Sequence, residues 1–110
     1  MSDEKTDARI LDELFKVIKS RYRDSPETSY TAKLFAGGLD GITAKIDEEA
    51  AEAIAAALGE SGERVSSESA DLLYHLLVMW AARGIEAEDV WAELKRREGM
   101  SGISEKKGRK

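Results

Sequence analysis

Leu39-Asp40-Gly41-Ile42-Thr43-Ala44-Lys45-Ile46-Asp47-Glu48-Glu49-Ala50-Ala51-Glu52-Ala53-Ile54-Ala55-Ala56-Ala57-Leu58 is the stretch that decides the fold. It holds no proline and is dominated by Ala, Glu, Ile and Leu, and Gly59 follows it, so it predicts one long helix over 39–58. With Ile42 at zero on a wheel of about 100° per residue, Ile46, Ala50, Ala53, Ile54 and Ala57 fall at roughly 20° to 120°, a core-facing arc. Glu49 falls at about −20°, at the lip of that arc, with Glu52 near −80° and Glu48 further out near −120°. A carboxylate at the edge of an apolar stripe is costly unless it meets a partner, so Glu49 asks for an explanation that Glu48 does not.

Outward from this stretch, other helices are predicted. Asp7 to Arg23 carries Ile10, Leu11, Leu14, Phe15 and Ile18 at helical spacing and stops at Asp24-Ser25-Pro26. Ser29 to Ala36 reads as a short helix ended by Gly37-Gly38. Glu63 to Arg83, ending at Gly84, is apolar nearly all round, and Glu88 to Arg97 is the last helix. No segment alternates as a strand would, so the expected fold is all-α, a small bundle of about four to five helices. In the helix over 63–83, Leu72, Leu73, Leu76, Leu77, Met79 and Trp80 form the apolar arc, with Glu68, Asp71 and His75 along one edge and Tyr74 and Val78 opposite. Such a helix is central in the bundle or covered by a second copy, which makes a homodimer or larger symmetric assembly the expected state.

The chain has 110 residues, enough for one domain and too few for two. Residues 1–98 are read as that domain and 99–110 as a mobile basic tail. It has no cysteine and one histidine, which excludes disulfides, thiolate chemistry and His-rich metal sites. The net charge is −5, and the 99–110 segment is basic, so the rest is more acidic still and unsuited to a nucleic-acid backbone. No apolar run is long enough for a membrane span, and no leader follows Met1, so a cytoplasmic protein is expected.

If the helices over 39–58 and 63–83 pack antiparallel, Glu49 and Glu52 face Glu68 and Asp71, and four carboxylates so close repel unless cations lie between them. Mg2+ suits such oxygen ligands, and it shares its shell with substrate phosphates. From charge pattern alone, a solvated acidic face, or pairing with Lys45 and Arg64, is the simpler reading.

The spacing adds to this. Glu48-Glu49-Ala50-Ala51-Glu52 followed by Glu68-Ser69-Ala70-Asp71 resembles the EExxE…ExxD signature of the all-α, MazG-like nucleoside-triphosphate pyrophosphohydrolases. Ser29-Tyr30-Thr31-Ala32-Lys33-Leu34, Gly38-Leu39-Asp40, Ala70 to Leu77 and Ala82-Arg83-Gly84-Ile85 look like the phosphoribosyl-ATP pyrophosphohydrolase branch, over about Ile10 to Arg97. Asp47 and Ser69 depart from that pattern, where glycine and alanine are expected, and neither is a proposed ligand. The resemblance implies Mg2+-dependent hydrolysis of phosphoribosyl-ATP to phosphoribosyl-AMP and pyrophosphate, the second step of histidine biosynthesis, by a homodimer. Position by position it implies Glu49, Glu52, Glu68 and Asp71 as metal ligands, with Glu48, Glu49 and Glu52 in the catalytic centre and Glu48 as either a further ligand or the base that orients water. Lys33 and Lys45 are candidates for phosphate contacts or ordinary surface lysines. His75 is a candidate to hold the Asp71 carboxylate or simply a histidine at the core edge. A sibling enzyme acting on a dNTP, and a non-catalytic acidic interaction module, are the alternatives.

Overall fold

A computed structural model describes residues 6–99, and the segment read as a basic tail lies outside these apart from Gly99. Five helices follow in order: α1 (Arg9–Ser20), α2 (Tyr30–Ala36), α3 (Gly38–Gly59), α4 (Gly62–Ala82) and α5 (Ala87–Arg97). No strand occurs among the described residues. The fold is an all-α bundle.

Local chemistry sets the boundaries. Ser29 and Ser61 cap α2 and α4, their hydroxyls accepting from the amides of Ala32 and Arg64 at 3.1 and 3.2 Å. Glu86 and Asp89 form a reciprocal capping box on α5. α1 is shorter than the sequence predicts: Asp7 accepts from the Arg9 amide at its start, and after Ser20 the backbone tightens into turns, with Arg21 bonded to Ile18. Gly38 takes φ 72°, the left-handed region where a β-carbon is penalised, and this is where the chain swings from α2 into α3.

α3 and α4 are joined only through Glu60 and Ser61, so α4 runs back along α3. α4 also packs against α1 and α2, and is therefore the central element. The core gathers Phe15 and Ile18 of α1, Leu34 of α2, Ile42 of α3, Leu77 and Val78 of α4, and Ala87. Trp80 lies edge-on to Phe15 and to Trp91, at 6.3 and 5.7 Å between ring centres, and the Trp91 indole donates to Asp12 at 2.8 Å, which ties α5 to α1.

Two faces differ from the wheel reading. On α3 the buried positions are Ile42, Glu49 and Ala56, so burial centres on the Glu49 line, while Ile54 and Ala57, expected inside, are exposed. On α4 Val78 is fully buried and Tyr74 half-buried, although both were expected on the far side, whereas Leu73 of the expected core arc is exposed. The reason is tertiary: α1 and α2 cover the Tyr74–Val78 side, a choice that the hydrophobicity of a helix apolar all round does not encode.

Candidate active site

The acids meet because of the hairpin. Glu52 and Glu68 lie equally far from residue 60 along the chain, as do Glu49 and Asp71, so an antiparallel α3–α4 pair brings each couple into register. Glu49, Glu68 and Asp71 each present a carboxylate oxygen within 4.8 Å of the others, with Glu49 and Glu68 buried and Asp71 exposed. Glu52, exposed on the next turn of α3, is near enough to raise the Glu68 carboxyl. Glu48 points to solvent, its side chain 60% exposed.

Two bases border the cluster. Lys45 lies 3.4 Å from Glu48 and 3.8 Å from Glu49, and Arg64 pairs with Glu68 and, at 3.2 Å, with Glu60. These are the pairings that a purely structural reading expects, but they leave the site incomplete. Arg64 takes one oxygen of Glu68, while Oε1 is buried with no hydrogen-bond partner among the described residues. A buried acceptor of this kind is rare and calls for a partner. Burial raises the Glu68 carboxyl above its ordinary range; Arg64 pulls it back, and Glu52 and Asp71 push it up again. All-carboxylate oxygen donors at this separation fit a hard divalent cation.

Behind the acids runs a second layer. The buried His75 bonds through Nδ1 to the carbonyl oxygen of Asp71 at 2.7 Å, and through Nε2 to the Tyr30 hydroxyl at 3.1 Å. A carbonyl only accepts, so Nδ1 carries a proton, and Nε2 and the Tyr30 hydroxyl share the second bond. His75 thus holds the backbone of Asp71 and not its carboxylate. Tyr74 stacks beside Tyr30, with ring centres 6.3 Å apart, and shares a hydroxyl bond with Thr31. Burial raises the Tyr30 phenol, against the pull of Lys45, while Tyr30 and then Glu48 raise the Lys45 ammonium. Both stay in their neutral-phenol and cationic forms at neutral pH.

Lys33 and Lys45 come together, on α2 and α3, around a cleft of about 290 Å3 lined also by Tyr30, Leu34, Gly37 and Gly41. The structure thus groups the candidates into one acid cluster and one adjoining basic cleft. Sequence reasoning passed over the backbone role of His75 and the two glycines of the cleft. Gly41, set inside a good helical stretch, was the visible signal for the latter.

Residues 11–98 match the model of the family described as phosphoribosyl-ATP pyrophosphohydrolase. The chain is 56% identical over 103 residues to a phosphoribosyl-ATP pyrophosphatase of Paramagnetospirillum magneticum, covering 94% of each chain. It is 48% identical over 110 residues to one of Azospirillum brasilense, covering 100% of this chain and 99% of the relative. With one of Rhodospirillum rubrum it shares 56% identity over 101 residues, 92% of this chain and 86% of the relative.

Proposed function

Because the chain belongs to the phosphoribosyl-ATP pyrophosphohydrolase family, we propose that its acid cluster is the metal and catalytic centre for that reaction, with Glu49, Glu52, Glu68 and Asp71 holding Mg2+. The chain is a hydrolase acting on a phosphoanhydride in histidine biosynthesis: phosphoribosyl-ATP and water give phosphoribosyl-AMP and pyrophosphate. The oxygen of water becomes bonded to phosphorus as the bridging bond between the α- and β-phosphates breaks.

The observation that carries the site assignment is the unpartnered, buried Oε1 of Glu68 beside oxygens of Glu49 and Asp71. When bound, Mg2+ neutralises charge on the phosphates and makes bound water more acidic. The chain's own residues do the rest. Glu49 and Glu68, held on two packed helices and buried, fix the oxygens in place before substrate arrives. His75 fixes Asp71 through its backbone. Glu48, adjacent to Glu49 in the chain and open to solvent, takes the proton of the attacking water and releases it to bulk water. Lys33 and Lys45 contact the phosphates.

No described helix is long and apolar enough to cross a membrane, which accords with work in the cytoplasm. The same reading makes 1–98 the catalytic domain, working as a homodimer, with 99–110 outside it.

The test is pyrophosphate release from phosphoribosyl-ATP by the full chain, with and without Mg2+, for wild type, Glu49→Gln and Asp71→Asn. Turnover is expected only with Mg2+, and each variant should lose more than the roughly 10–100-fold that loss of a partner behind a ligand costs. In parallel, Mg2+ at a hundredfold excess over its dissociation constant should stabilise the wild type by about 2.7 kcal/mol and the variants by much less. Variants that lose stability without the metal yet keep turnover would overturn the assignment.

A further inference from the structure

We infer that the cleft between α2 and the start of α3 receives the β- and γ-phosphates of the substrate, the part released as pyrophosphate. This rests on the reading that the acid cluster holds the metal at the bond between the α- and β-phosphates.

Four observations converge. First, the cleft adjoins the acids, because Lys45 lines it and also lies 3.4 and 3.8 Å from Glu48 and Glu49. Second, Lys33, on the opposite wall, makes no ion pair among the described residues, although the chain carries a net charge of −5. An unneutralised ammonium facing another across a small cleft selects a multiply charged anion. Third, Gly41 lies within α3 at a backbone angle that any residue adopts, and a β-carbon there would meet nothing within 4 Å. Neither packing nor conformation asks for glycine, and glycine weakens a helix, so what it provides is room. Fourth, at about 290 Å3 the cleft falls just below the roughly 300–1,000 Å3 of small-molecule sites, too small for the whole nucleotide.

Chemistry decides which part enters. With the scissile bond at the acids, only groups attached directly to it reach a cleft that shares Lys45 with them. The phosphate of the N1-linked phosphoribosyl group is separated from that bond by ribose, adenine and a second ribose. Adenine itself is uncharged and makes no use of two ammonium groups. The β- and γ-phosphates are adjacent, small and carry most of the charge, and as pyrophosphate departs its added charge meets Lys45 and then Lys33.

The experiment uses the full chain and inorganic pyrophosphate as probe, in the presence of Mg2+. Its dissociation constant is measured by calorimetry, and its inhibition constant against phosphoribosyl-ATP is set beside that of the other product, phosphoribosyl-AMP. Lys33→Ala should weaken pyrophosphate roughly ten- to hundredfold and raise KM alike, leaving phosphoribosyl-AMP inhibition unchanged, while Lys33→Arg retains most of the affinity. Gly41→Leu should melt at or above the wild-type temperature and lose pyrophosphate affinity, because it fills the cleft without harming the helix. If Lys33→Ala weakens phosphoribosyl-AMP and spares pyrophosphate, the cleft belongs to the nucleotide end and the inference is wrong. If neither product is affected, it is no subsite at all. Failure of the underlying metal reading shows separately, as continued Mg2+-dependent turnover by Glu49→Gln whatever Lys33→Ala does.

Discussion

A carboxylate with one oxygen on Arg64 and the other buried without a partner, as Glu68 has, gives up hydration that it keeps in the unfolded chain. Burial is the first cause of its raised pKa, ahead of the opposing pull of Arg64. For an acid raised on folding, proton uptake favours the native state. Its contribution is fully present below the unfolded value, near 4.5, and is lost as pH rises through the higher folded value. Glu68→Gln, which keeps shape and removes the charge, should therefore melt higher than wild type at neutral pH without metal. The gap between the two should close as pH falls toward 4.5. Arg64 is not stranded by the change, since it is exposed and keeps Glu60 at 3.2 Å. With Mg2+ the order should reverse, because only the wild type binds the ion. Thermal melts of both proteins across pH, with and without Mg2+, check this. A variant that melts lower without metal at neutral pH would mean that the Arg64 pair is structural.

At the scale of elements, α2 has seven residues, fewer than an isolated helix needs in water, so its neighbours hold it. Ala32 and Leu34 are buried, Phe35 lies edge-on to Tyr22 at 5.0 Å, and two hydroxyl contacts, Tyr30 to His75 and Thr31 to Tyr74, fasten its start to α4. Tyr30→Phe leaves the buried Nε2 of His75 without its hydrogen-bond partner. It should cost about 1–3 kcal/mol and speed amide hydrogen exchange in α2 while α3 and α4 stay protected; unchanged exchange in α2 would remove this account of its docking. What the sequence made legible follows the same division. Helices and most of their ends could be read, because glycines and the single proline act locally, although α1 is shorter at both ends than predicted. The acid cluster could be read on the condition that the two long helices pack antiparallel, and the two-residue link between α3 and α4 meets that condition and puts Glu49 near Asp71. The inward faces could not. A wheel centred on hydrophobicity moved Glu49 to the lip of the stripe, whereas Glu49 lies on the buried line of α3 itself. The basic cleft was equally out of reach, because it depends on how α2 meets α3 at Gly38.

Those misplaced faces bear on the whole molecule. The buried apolar set among the described residues is small, and only Ile18, Ile42, Leu77 and Val78 are large and fully buried. Meanwhile Ile54 is 60% exposed, Leu58 84% and Leu73 44%, all on the two helices that carry the acids. Burying each such side chain is worth about 1.5–3 kcal/mol, so a few of them covered by a second copy supply much of what a domain this size lacks alone. A homodimer would also explain why hydrophobicity on α3 and α4 points outward, with these residues serving an interface and not the core of one protomer. Light scattering at micromolar concentration should give a particle of twice 12.1 kDa. Ile54→Glu should shift it to the single mass and lower the melting temperature, because a charge in an apolar interface loses its hydration without gaining a partner. A wild-type particle of 12.1 kDa would refute the dimer. A wild-type dimer that Ile54→Glu leaves intact would place the interface elsewhere, with Ile10 and Val17 of α1, Leu39 of α3 and Leu94 of α5 among the exposed apolar positions to test next.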